Sequence, residues 1–131
     1  MISALLMLAA SSSSIPDVKG YWITADRTAV VRVTTCGTEV CGTITRILKR
    51  GPKVPRTDLN NPQPSLRSRP LIGLQVLSGF ALRGSNWVGG RAYDPKTGKS
   101  YKAKLRPNAD ETLTVTGCVL FVCRSQTWQR T

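Results

Sequence analysis

Short stretches in which apolar and polar residues alternate recur along the chain from Val18 onward, separated by Gly, Pro, Asn and Asp. No stretch carries the three-to-four spacing of a long amphipathic helix. A period of two is the mark of a strand with one buried and one wet face. It is clearest where Tyr101, Ala103 and Leu105 alternate with Lys102, Lys104 and Arg106, giving one apolar and one cationic face. The same pattern predicts strands over Val18 to Thr24, Ala29 to Thr35, Val40 to Leu48, Leu71 to Leu82, Asn86 to Tyr93, Leu113 to Val119 and Arg124 to Arg130. In Ala29 to Thr35, Ala29, Val31 and Val33 face the core and Arg32 faces water. Turn chemistry separates these runs: in Asp94-Pro95-Lys96-Thr97-Gly98, Asp begins the turn, Pro presets φ and Gly accepts a positive φ. Residues 49–70 break the alternation as a long loop rich in proline and arginine, with room for one helical turn at Pro64 to Ser68. Loops of this length inside a compact domain are usually functional or disordered.

These elements predict an all-β fold, an antiparallel up-and-down meander of about eight strands forming a small closed or partly open barrel. A two-sheet β-sandwich is the alternative. Closure favours the barrel because it removes sticky sheet edges. Gly73, Gly79, Gly84, Gly89, Gly90 and Gly117 lie in or beside predicted strands, where barrel strands bend or bulge.

The N-terminus changes the picture of where the chain works. Ile2 to Ala10 is an apolar run too short for a bilayer, which needs about 20 such residues, and it fits the apolar stretch of a secretion signal. We expect residues 1–14 to be that signal, cut between Ala10 and Ile15, with residues 15–131 as one domain. No basic segment precedes the run, which leaves a start shifted by a few residues, or an uncleaved tail, as alternatives. Two cysteine pairs with the same short spacing, Cys36 with Cys41 and Cys118 with Cys123, read as a disulfide framework and point to a periplasmic or secreted protein. Local bridges would each contribute about 2 kcal/mol and crossed ones roughly 4 to 5 kcal/mol by chain entropy. Entropy thus favours crossing and reach favours local pairing; the equal spacing points to local bridges.

Charge and composition then bound the chemistry. With 19 Lys and Arg against 7 Asp and Glu, the formal charge of +12 makes the surface attractive to polyanions. The absence of histidine excludes Ser-His-Asp and Cys-His mechanisms and histidine-ligated zinc within one chain. The few carboxylates fall mostly at predicted turns, so no catalytic residue, metal site or cofactor is expected.

Several segments, taken together, resemble one bacterial family of exported proteins. Gly20-Tyr21-Trp22, Cys36-Gly37 to Cys41-Gly42, Asn61 to Gly73, Trp87 to Pro95, Gly98 with Tyr101, and Arg124-Ser125-Gln126-Thr127-Trp128 are similar to the domain of unknown function DUF2147. The resemblance covers roughly residues 18 to 130 and implies an exported domain with no assigned reaction. A looser likeness is to lipocalin and calycin barrels. Gly20-x-Trp22 on a first strand, and a late Arg124 or Arg130, resemble the pattern in which an arginine packs on the first-strand tryptophan and closes the barrel base. Trp22, Arg124 and Trp128 are accordingly the structural candidates.

Two functional classes follow. The first is a barrel holding a small apolar or amphipathic ligand, gated by the 49–70 loop, with Arg67, Arg69, Trp87 and Tyr93 as candidate ligand-binding residues. The arginines could make forked contacts to carboxylate or phosphate, or could instead fasten the loop through a carboxylate such as Asp58 or Asp94. The second is an envelope-associated protein whose cationic faces hold anionic polysaccharide, lipopolysaccharide or another polyanion. Nucleic acid is disfavoured, because the basic strand lacks the aromatic platform on which single strands stack. An apolar, unfilled interior would favour the first class and a filled core the second.

Overall fold

The alternating runs build eight antiparallel strands: β1 (Gly20–Ile23), β2 (Ala29–Cys36), β3 (Glu39–Ile47), β4 (Gln75–Arg83), β5 (Asn86–Asp94), β6 (Lys99–Pro107), β7 (Thr112–Val119) and β8 (Val122–Arg130). The structure is a computed structural model and describes residues 16–131; the expected signal lies outside the described residues. Each strand pairs with its neighbours in sequence order, and β1 pairs with β8 through Trp22 opposite Arg130 and Ile23 opposite Gln129. The sheet is therefore a closed barrel, not a two-sheet sandwich.

The β1–β2, β3–β4, β5–β6 and β7–β8 connections gather at one end of this meander, here called the mouth. The other three connections and the chain's entry into β1 lie at the base. Large side chains fill the base half: Trp22, Val33, Val40, Phe80, Leu105 and Leu113 are all buried. Phe80 fits because it lies against Gly90, where a Cβ would overlap its ring.

Two boundaries differ from the pattern-based expectation. Leu71 to Leu74 form a turn and not the start of β4, closed by Leu74 N–H donating to the Leu71 carbonyl at 3.0 Å. Leu71 and Leu74 are nonetheless buried, which is why they read as strand. In β5, Trp87 pairs with Leu105 and Gly90 with Ala103, so three steps on β5 match two on β6 and a bulge falls at residues 88–89. The expected helical turn exists as a short 3-10 segment at Pro64–Leu66.

Candidate functional site

At the base, Trp22 is completely buried and its indole N–H donates to the Val18 carbonyl at 2.9 Å. The guanidinium of Arg130 sits 4.2 Å from the centre of a Trp22 ring. Its two terminal nitrogens donate to the carbonyls of Asp17 (2.6 Å) and Lys19 (2.9 Å). Arg130 Nε lies 2.6 Å from Glu111 Oε2, a charge contact in which the N–H is not aimed at the oxygen. One cation thus shields the ring and ties the entering chain to the last strand. Gly20 permits it, since a Cβ there would strike the Arg130 guanidinium. Of the two arginines considered for this packing, Arg130 occupies it; Arg124 lies six residues earlier on β8, at the mouth. Only the pairing register tells the two apart.

The mouth half is hollow. A cavity of about 800 Å³ opens there, walled by Ala29, Val31, Ile44, Val76, Leu77, Ala92, Tyr101, Val115, Gly117 and Trp128. Apart from Tyr101 and Trp128, the side chains that wall it are small or medium-sized, whereas Trp22, Phe80, Leu105 and Leu113 fill the base. The Trp128 indole N–H reaches Gln126 Oε1 at 3.3 Å, and Gln126 also lines the cavity. Polar groups collect at the rim: Thr24, Asp26, Asp94, Lys96 and Arg124. Asp26 and Lys96 form an ion pair that links the β1–β2 turn to the β5–β6 turn across the opening. Partial burial alone would raise the Asp26 carboxyl, but the Lys96 ammonium and the Thr28 and Thr24 hydroxyls donate to it and hold it far below the usual carboxylate range.

The long loop is fastened to this rim. Asp58 is completely buried and accepts from Arg69 Nε (2.9 Å), Asn61 Nδ2 (2.8 Å) and the Tyr93 hydroxyl. Burial would raise its carboxyl, but those three donors outweigh burial and keep it ionised below its ordinary value. Burial and the neighbouring Asp58 carboxylate push the Tyr93 phenol up to about 12. Arg67 Nε donates to the Asn61 carbonyl at 2.8 Å. Asn60 Nδ2 donates to the carbonyls of Pro95 (3.2 Å) and Lys96 (3.0 Å), docking the loop on the β5–β6 turn. A Cβ on Gly98 of that turn would overlap the Asn60 carbonyl.

The structure splits the expected ligand-binding set: Arg69 and Tyr93 meet at Asp58, with the Arg69 guanidinium 6.0 Å from the Tyr93 ring centre, whereas Arg67 and Trp87 do not join them there. Tyr93 reaches the cavity rim, while Arg67 and Arg69 hydrogen-bond within the loop and do not line the cavity. Trp87 pairs with Leu105 and Tyr93 with Ser100, positions of opposite parity on β6, so the two aromatics fall on opposite faces of β5. The bulge at residues 88–89 inverts the expected shared face, and Trp87 packs near the base. Sequence reasoning missed the Asp26–Lys96 pair, whose partners lie 70 residues apart. It also missed the exposure of Leu120 and Phe121 at the tip of the β7–β8 hairpin. An apolar run where a turn residue belongs was the available signal for the tip.

The disulfides are local, Cys36–Cys41 in the β2–β3 hairpin and Cys118–Cys123 in the β7–β8 hairpin. Among the described residues no three Asp, Glu or Cys side chains group as metal ligands, and no helix is long and apolar enough to cross a membrane.

The family model for DUF2147, an uncharacterized protein conserved in bacteria, matches residues 20–130. The chain belongs to the DUF2147 family. No curated protein matches the DUF2147 chain. Among solved structures it is similar to protein HP1028 from the human pathogen Helicobacter pylori, described as belonging to the lipocalin family. The TM-score is 0.78 at 22% identity, covering 88% of this chain and 84% of that one. The likeness shows that this DUF2147 barrel has a lipocalin-like fold.

Proposed function

We propose that the protein is an exported, non-catalytic carrier that holds one small apolar or amphipathic ligand in the mouth half of its barrel. The observation that carries this reading is the contrast between a filled base and a hollow, largely apolar mouth half of about 800 Å³. Eight-stranded barrels have an interior suited to one small ligand, and cavities of roughly 300 to 1,000 Å³ suit such molecules. The lining suits an apolar body inside and a polar end at the rim, where Arg124 favours an acidic head group. The two disulfides support an oxidising, extracytoplasmic location. The non-catalytic reading is supported by how the carboxylates are used. Asp58, Asp26 and Glu111 face cations, and Asp17, Asp94 and Asp110 accept from nearby backbone N–H groups.

The test is native mass spectrometry of protein purified from the periplasm, with a fluorescent fatty-acid probe titrated into the delipidated protein. The expected result is an added mass lost on denaturation and saturable probe binding at one site. Gly117→Leu, which grows a side chain from the cavity wall beside Tyr101, should weaken probe binding at least tenfold while leaving the melting temperature within a few degrees. A bare native mass together with probe binding indifferent to Gly117→Leu would overturn the reading.

A further inference from the structure

The β7–β8 hairpin ends in a feature that folding does not explain. Val119 pairs with Val122, so Leu120 and Phe121 form a two-residue turn. Leu120 has φ 54°, in the left-handed region where the first residue of such a turn is ordinarily glycine. The two side chains are 89% and 99% exposed, and the flanking Val119 and Val122 are 53% and 65% exposed. Water disfavours four adjacent apolar side chains, and the turn disfavours Leu120. The Cys118–Cys123 disulfide lies directly beneath the tip and joins strand partners.

The surroundings of this tip are cationic. The barrel topology places Arg27 of the β1–β2 turn, Lys49 and Arg50 just beyond β3, Lys99 at the start of β6 and Arg124 of β8 at the same end, all exposed. The carboxylates at this end are already engaged: Asp26 with Lys96, Asp58 with Arg69, and Asp94 with the backbone of its own turn. An exposed apolar tip at the same end of the barrel as several exposed cations matches an anionic lipid surface, whose head groups attract the cations and whose acyl boundary accepts the tip.

We propose that the mouth of the barrel docks on an anionic phospholipid bilayer, with Leu120 and Phe121 inserting at the head-group and acyl boundary. Val119 and Val122 also line the cavity, so the inserted tip continues directly into the cavity wall. Docking thereby sets the opening against the lipid. That last step rests on the carrier reading; the docking itself does not.

The experiment is flotation of the protein with vesicles of phosphatidylglycerol and phosphatidylethanolamine, against vesicles of phosphatidylcholine. The wild type should float with the anionic vesicles only. Leu120→Ser with Phe121→Ser should lower partitioning at least about 30-fold with an unchanged melting temperature. Arg27→Gln and Arg50→Gln should each lower it about fivefold. Phe121→Trp should be quenched by phosphatidylglycerol brominated on its acyl chains, which reports insertion and not adsorption. Absence of flotation would overturn the proposal. So would flotation that ignores the tip substitutions and is erased by a soluble polyanion, which would identify an anionic polymer as the partner. Gly117→Leu should float normally, so that failure of the carrier reading and failure of docking give different results.

Discussion

Two hairpins at opposite ends of this barrel each combine a two-residue turn with a disulfide of sequence separation 5. At the mouth the disulfide joins direct strand partners, Cys118 and Cys123; at the base it runs diagonally, since Cys36 pairs with Glu39 and Cys41 with Thr34. Each hairpin asks its first turn residue for a positive φ. At the base, the β2–β3 turn answers with Gly37 at φ 67°, followed by the polar Thr38. At the mouth, the β7–β8 turn answers with Leu120 at φ 54°, followed by Phe121. A Cβ on Gly37 would meet nothing, so glycine is there for the backbone alone. The base follows the rules of local folding. The mouth tip departs from them, with a leucine in the left-handed region and an exposed phenylalanine beside it, and the proposed lipid contact would account for the departure.

That contrast breaks most visibly in the core of the base. Trp22→Ala should destabilise the protein by about 3 to 5 kcal/mol, because it opens a cavity in the filled half and strips Arg130 of its ring. Phe121→Ala at the mouth should change stability by less than about 0.5 kcal/mol. Urea denaturation of both variants checks the pair. Equal effects would mean that the tip is packed in solution and that the two ends are not different in kind.

The loop rim lies between these extremes. Asp58→Asn should cost about 2 kcal/mol at neutral pH, since it weakens the buried acceptor shared by Asn61, Tyr93 and the partly exposed Arg69. Its pH dependence has a fixed sign. The Asp58 carboxyl titrates below its unfolded value of about 3.9, so its stabilisation is complete above that pH and fades as the pH falls further. The gap between wild type and variant should therefore narrow in acid. Tyr93 acts oppositely: with its phenol raised to about 12, its contribution is complete below about pH 10 and is lost as the pH climbs toward 12. Tyr93→Phe should abolish that alkaline loss. Chemical denaturation across pH, with tyrosine absorbance in the alkaline range, measures both.

Much of the barrel was legible because each strand buries one face, which forces alternation, and because short turns leave Asp-Pro-Lys-Thr-Gly-like marks. The 71–74 turn was not, since Leu71 and Leu74 are buried without being paired. The choice of Arg130 over Arg124 depends on register, which an isolated strand does not encode. The bulge at residues 88–89 likewise moved Trp87 and Tyr93 to opposite faces, although two adjacent glycines marked the spot. The cavity is written in side-chain size more than in polarity. Ala29, Ala92 and Gly117 stand at the level where Phe80, Leu105 and Leu113 would have closed it, but that level is visible only once the strands are aligned.

The disulfides sharpen the comparison next. Replacing either cysteine pair by serine should cost about 2 kcal/mol, since both close equally short loops. The consequences for vesicle flotation should differ. Loss of Cys36–Cys41 at the base should leave flotation intact, and loss of Cys118–Cys123 should weaken it by letting the tip splay. Equal flotation by the two variants would show that the clasp beneath the tip does nothing for the mouth.

The smallest expected effect is the most direct exchange between the ends. Gly37→Leu should destabilise the protein by about 1 kcal/mol, because it imposes on the base turn the left-handed conformation that a side chain resists. Leu120→Gly should do the reverse, stabilising by a similar amount while reducing flotation. A gain in stability joined to a loss of lipid binding in one substitution is hard to obtain from damage to the fold. Such an outcome would mean that the chain keeps an unfavourable residue at the mouth for what that residue touches beyond the barrel. If Leu120→Gly lowers stability instead, the leucine packs on the barrel in solution, and the argument from strain at the tip fails.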